Sequence, residues 1–133
     1  MRVVLDTNVF VSGVFFSGPP YEILKAWRDK KLKLIVSPLI LEEYRRVGEK
    51  LADQFSDVDL TPMLSLITAK AVVIDSKELP EPVCDDPDDD KFIACAISGA
   101  AKYIVSGDKH LLRVNAYEGI LIVKPRHFLE RHL

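Results

Sequence analysis

The chain has 133 residues, 48% of them hydrophobic and 29% charged, with a net charge of −2. That is enough apolar material for one ordinary core and too much for a disordered or fibrous protein. No apolar run approaches the roughly 20 residues of a membrane span. Asp6 interrupts the first apolar run and no small-residue cleavage site follows it, so residues 1–133 are expected to form a single cytoplasmic domain. Cys84 and Cys95 lack metal-like spacing and are expected to be free thiols. The negative balance argues against a nucleic-acid partner unless carboxylates are gathered around a cation, which would leave the rest of the chain positive.

Val3, Val4 and Leu5 read as a buried strand, and Asp6, Thr7 and Asn8 follow where it should end. A strand without polar alternation has both faces covered, as in a parallel sheet between helix layers. Ligands gather at the carboxyl ends of such strands, where the strand order reverses, and Asp6 would sit at such an end. A loop aspartate capping a turn is the other reading of the same residue. Val9 to Phe16 is apolar and ends in Ser17, Gly18, Pro19 and Pro20, a turn that opens a helix running to about Lys30. Phe10, Val14, Phe15, Phe16 and Trp27 carry more apolar surface than a turn and a surface helix require, so part of this stretch is expected at an interface. Lys25, Arg28, Lys30, Lys31 and Lys33 close the helix. Cations suit a helix C-terminus, and a phosphate-backbone contact is the alternative account.

Leu34 to Val36 form a second strand; Ser37 caps and Pro38 starts the next helix. Ile40, Tyr44, Val47 and Leu51 define its buried face, with Glu42, Arg45, Arg46 and Glu49 opposite. At about 100° per residue, Glu43 borders the apolar stripe rather than joining the charged face. An acid facing inward needs a partner or a metal. A helix from Pro62 to about Lys70 leads to a third strand, Ala71 to Ile74, and a Pro-rich connection spans Glu78 to Pro87. Asp85, Asp86, Asp88, Asp89 and Asp90 then precede a helix of small residues. Acids in front of a helix ordinarily complement its positive end, but that role does not require five. Tyr103 to Val105 form a fourth strand ending in Ser106, Gly107 and Asp108, which repeats the pattern at Asp6. Leu111 and Leu112 begin a short turn of helix, Ile120 to Val123 form the fifth strand, and Pro125 starts a last helix. His110, His127 and His132 show no ligand spacing and are expected at the surface.

Alternating strands and helices predict a doubly wound, three-layer α/β/α fold with a central parallel five-stranded sheet. With the first and fourth strands adjacent at the switch point, Asp6 and Asp108 end side by side, and the helix start at Asp90 lies above them. Three or four carboxylates in one cleft repel each other unless a divalent cation lies between them. Oxygen ligands suit Mg²⁺ or Mn²⁺, which activate water and stabilise the oxyanions of phosphoryl displacement. Asn8 and Ser106 are placed to hold that water or orient a carboxylate.

The chain resembles the PIN domains, found in many toxin–antitoxin nucleases, over nearly its whole length. The resemblance is carried by "VVLDTNV", "SPLILEEY", "DPDDDKFIACA" and "YIVSGDKHLL". It implies that Asp6, Glu43, Asp90 and Asp108 are the metal-binding acids, with Asn8 and Ser106 as accessory polar groups. Asp90 is taken from its cluster because it precedes "KFIACA" and lies 18 residues before Asp108; Asp86 is a candidate fifth member. Ser106 and His110 stand where relatives more often carry Thr and an acid or amide, which leaves the number of metals open. The resemblance further implies a Mg²⁺- or Mn²⁺-dependent ribonuclease acting on RNA, a homodimer, and a small antitoxin partner that occludes the cleft. Two other classes compete. A phosphoacceptor receiver domain would use Asp75 after the third strand and Lys124 with Pro125 after the fifth, but would leave Glu43, Asp90 and Asp108 unexplained. An RNA- or partner-binding scaffold would keep the fold without turnover.

Overall fold

The structure is a computed structural model describing residues 1–133. Its elements are β1 (Arg2–Leu5), α1 (Thr7–Phe15), α2 (Pro19–Arg28), β2 (Lys33–Val36), α3 (Pro38–Gln54), α4 (Thr61–Lys70), β3 (Val72–Val73), α5 (Asp90–Ser98), β4 (Tyr103–Val105), α6 (Lys109–Val114), β5 (Ala116–Tyr117), β6 (Ile120–Val123) and α7 (Pro125–Arg131). A 3₁₀ turn, Pro87–Asp89, leads into α5. The strands form one sheet in the order β3-β2-β1-β4-β6-β5. Every pairing is parallel except β5 with β6. The chain winds outward from β1 to β3, then crosses back to β4, which pairs Leu5 with Val105. The switch point therefore lies between β1 and β4, at the strand ends that carry Asp6 and Asp108. Val3, Val4 and Leu5 are fully buried, as a strand covered on both faces requires. No helix is long and apolar enough to cross a membrane.

The doubly wound α/β/α arrangement is the one the element order predicts, but the sheet has six strands rather than five. The addition is β5, two residues joined to β6 by a tight hairpin. Glu118 and Gly119 have φ of 50° and 83° there, as a two-residue hairpin turn with both central residues left-handed demands.

The apolar run after Asp6 is also more regular than the sequence suggests, because α1 starts directly at Thr7. Its apolar and β-branched residues hide the helical period, and burial of Thr7, Val9, Phe10 and Val11 overrides their weak propensity. At Gly13 the packing against α2 is so close that a Cβ would lie 2.6 Å from Leu24 Cδ1 and 2.8 Å from the Pro20 carbonyl oxygen. In α3, Ser37 Oγ accepts from the Ile40 N–H at 3.3 Å, which fixes the helix start. Tyr44, fully buried, stacks on Phe10 with ring centroids 4.2 Å apart and donates its hydroxyl to the Leu5 carbonyl. That bond ties the second turn of α3 to the end of β1 and brings Glu43 to the same region as Asp6.

Candidate metal centre

Asp6 begins where β1 stops. Its N–H donates to the Val105 carbonyl at 3.0 Å, so the backbone ladder itself sets it beside the end of β4. Ser106, fully buried, donates its hydroxyl to Asp6 Oδ2 at 2.7 Å and accepts the Asp108 N–H at 2.9 Å. One hydroxyl thus orients the first carboxylate and fixes the turn that carries another. Asp108 Oδ1 accepts the His110 N–H at 2.7 Å, capping α6. Asp6 is only 5% exposed, and burial is the main reason its carboxyl lies above the ordinary carboxylate range. The Ser106 hydrogen bond opposes that rise; the negative charges of Asp108 and Glu43 add to it.

Within the acidic run, the side chain that joins this group is Asp89. Burial, followed by the charges of Asp108, Asp86 and Asp6, pushes its carboxyl up to about 6, against a smaller opposing effect from His110. Its Oδ2 atom is buried without a hydrogen-bond partner. Asp86, Asp89 and His110 each offer a ligand atom within 4.8 Å of one another. His110 Nδ1 also lies 3.8 Å from Asp89 Oδ2 and 3.5 Å from Asp108 Oδ1. It is therefore part of the acidic group and not a surface bystander. A clustered, partly buried set of carboxylates with an unpartnered oxygen fits a divalent cation, which would offset the mutual repulsion.

Asp90, the acid chosen from the sequence, is not brought to this group. Its Oδ1 and Oδ2 accept the N–H groups of Cys84 and Val83 at 2.8 and 3.3 Å, pinning the Pro-rich connection to the start of α5.

Glu43 turns inward, with its side chain 12% exposed against 57% for Glu42. Its contacts are with partners the sequence did not suggest. Thr7 Oγ1 donates to Glu43 Oε2 and Lys91 Nζ donates to Oε1. Lys91 also pairs with Asp88 at 3.1 Å, and Arg46 lies 3.6 Å from Glu43. Burial would lower the Lys91 pKa, but its hydrogen bonds to Glu43 and Asp88 outweigh that and hold it raised. Arg46 thus reaches Glu43 from the exposed face, and Glu42 pairs with Arg45. Asn8 is exposed on the first turn of α1. Asp75 is exposed beyond the edge strand β3, two strands from Asp6, which is no place for a phosphoacceptor at the switch point.

A comparison with curated proteins finds no match for the chain. A family model described as the PIN domain matches residues 2–110, from β1 through Asp108 to the start of α6. The chain belongs to the PIN-domain family.

Proposed function

We propose that the chain is a divalent-metal-dependent ribonuclease whose metal is held by Asp6, Asp89 and Asp108, with Asp86 and His110 at the same group. The PIN domain is a nuclease-type fold, and the finer reading rests on one observation. Asp89, one oxygen of which is buried without a partner, converges with Asp86 and His110 beside the switch-point acids. Mg²⁺ or Mn²⁺ held there would supply a water nucleophile at neutral pH and offset charge on the phosphodiester. The nitrogen of His110 favours Mn²⁺ over Mg²⁺ in this otherwise oxygen set. Ser106 keeps Asp6 in one orientation, and the Thr7–Glu43–Lys91 contacts hold a further carboxylate beside the cleft while balancing its charge. In this reading Asp90 positions the acidic turn without meeting the metal.

Cleavage of a single-stranded RNA by the purified chain in Mn²⁺ tests the reading. Chelation should stop cleavage, and Asp6→Asn should remove it with the fold intact by circular dichroism. Cleavage that survives both contradicts the proposal; RNA retention without turnover would identify a binding scaffold instead.

We place the protein in the cytoplasm, where the free thiols Cys84 and Cys95 would stay reduced. We further propose a toxin role, with a homodimer or small antitoxin contact on an aromatic patch. Phe16 and Phe55 are 46% and 41% exposed and meet edge to face at 5.2 Å, next to Phe15. Phe10 and Trp27, by contrast, belong to the core. Expression of the chain alone should arrest growth, and relief by the product of a neighbouring small reading frame is the outcome a toxin requires.

A further inference from the structure

The amino ends of β2 and β3, opposite the acids, border a cavity of about 520 Å³. Trp27 and Leu32, only 6% and 4% exposed, and the half-buried Leu66 and Val72 make its floor. The remaining lining residues are Arg28, Lys30, Lys33 and Lys70. All four are cations, although acids outnumber bases in the chain as a whole. None of the four forms an ion pair, as is true of most of the chain's 18 lysines and arginines, so their charges are not offset within the chain. Complementing helix dipoles accounts for Arg28 and Lys70, which lie in the last turns of α2 and α4. It does not account for Lys33, the first residue of β2, or for Lys30. Lys30 occupies the left-handed residue after α2, with φ 64°, where glycine is the usual choice. Its N–H bonds to Trp27 O at 3.0 Å and the next N–H bonds to Ala26 O at 2.9 Å, completing the helix end. The backbone there would suit glycine as well, so the fold does not require the Lys30 side chain, just as it accepts Ala100 at the same place after α5.

We infer that this cavity is a docking site for an acidic, amphipathic peptide segment of a partner protein, with an apolar side chain on its floor and carboxylates at the four-cation rim. The charges enter from the end of α2, the turn after it, β2 and the end of α4, which suits carboxylates spaced along a chain. The floor decides between peptide and nucleic acid. Phosphates at the rim would leave the apolar floor uncovered, and the buried Trp27 ring leaves no free face on which a base could stack. This surface is separate from the acidic centre and does not depend on the nuclease reading.

The test is fluorescence anisotropy of a labelled peptide, Glu-Asp-Leu-Glu-Glu-Phe-Leu-Glu-Asp-Glu, titrated with the full chain. The controls are its analogue with Gln and Asn for the acids, its analogue with Ser for the apolar residues, and a ten-nucleotide single-stranded RNA. The acidic peptide should bind and both analogues should bind at least about tenfold more weakly. Lys30→Gly and Lys70→Gln should each weaken peptide binding by about threefold, a typical exposed charge contact. Lys30→Gly should do so without lowering Tm, because its left-handed backbone suits glycine. The inference is overturned if the acidic peptide does not bind, if either analogue binds equally well, or if the two variants leave binding unchanged. RNA that displaces the peptide and binds more tightly overturns it as well, by making the rim a phosphate surface.

Discussion

At the scale of single residues, Asp89 and Asp90 are covalent neighbours with opposite tasks. Asp90 spends both oxygens on backbone N–H groups, while Asp89 faces other carboxylates. The folded chain holds the Asp89 proton up to about pH 6, against 3.8 for an ordinary aspartate. Its folded pKa is raised, so its contribution to stability is full at the acid end and is lost as pH rises through about 6. In metal-free protein, the Tm of wild type relative to Asp89→Asn should therefore fall from about pH 4 to pH 6 and level off above; a constant difference contradicts the assignment. The neighbouring glutamates give a second comparison. Glu42→Gln removes an exposed, solvent-screened pair and should leave the unfolding midpoint essentially unchanged. Glu43→Gln leaves Lys91 beside Asp88 alone and should cost about 1–3 kcal/mol, as well as lowering cleavage. A double-mutant cycle with Lys91→Met should show coupling of at least ~0.5 kcal/mol. Additive effects would mean that the Glu43–Lys91 contact carries no stability.

At the scale of elements, β1, β4 and α3 were legible because their signals are strong. Unbroken β-branched runs mark the two strands, and Ser37, Pro38 and the Ile40–Tyr44 spacing mark the helix. Helical phase alone sent Glu43 inward. It could not name Lys91 or Thr7, because their meeting with Glu43 depends on how α1, α3 and α5 pack. α1 was hidden by its apolar and β-branched residues, which blur the helical period, and β5 by its two-residue length. The choice among the five aspartates was not legible, because they look alike until the 3₁₀ turn Pro87–Asp89 sets their directions. Gly13→Ala tests the α1–α2 contact. A Cβ there meets the Pro20 backbone, which cannot rotate away, so the variant should lose about 1–3 kcal/mol in urea unfolding. Unchanged stability would show that the helices can part without cost. Asp90→Ala should likewise cost about 1–3 kcal/mol by freeing two amides. Faster hydrogen exchange at Val83 and Cys84 would locate the loss.

At the scale of the molecule, the winding of the chain decides where its acids meet. Because β1 and β4 are sheet neighbours, Asp6 and Asp108 come together from positions about a hundred residues apart, and the crossing from β3 delivers Asp89 beside them. The aromatic patch at Phe16 and Phe55 lies on the α1 and α3 ends and is open to a second copy. Sedimentation at micromolar concentration should show a dimer that Phe16→Ser weakens; a monomer unaffected by that change would leave the patch without this role. The most direct test of the central claim is Mn²⁺-dependent RNA cleavage by wild type, Asp89→Asn and Asp90→Asn, assayed side by side at equal folded concentration. Wild type should cleave, Asp89→Asn should lose about 100-fold or more (~2.7 kcal/mol), and Asp90→Asn should stay within about tenfold. No cleavage by wild type, or an Asp89→Asn variant as active as wild type, would contradict the account.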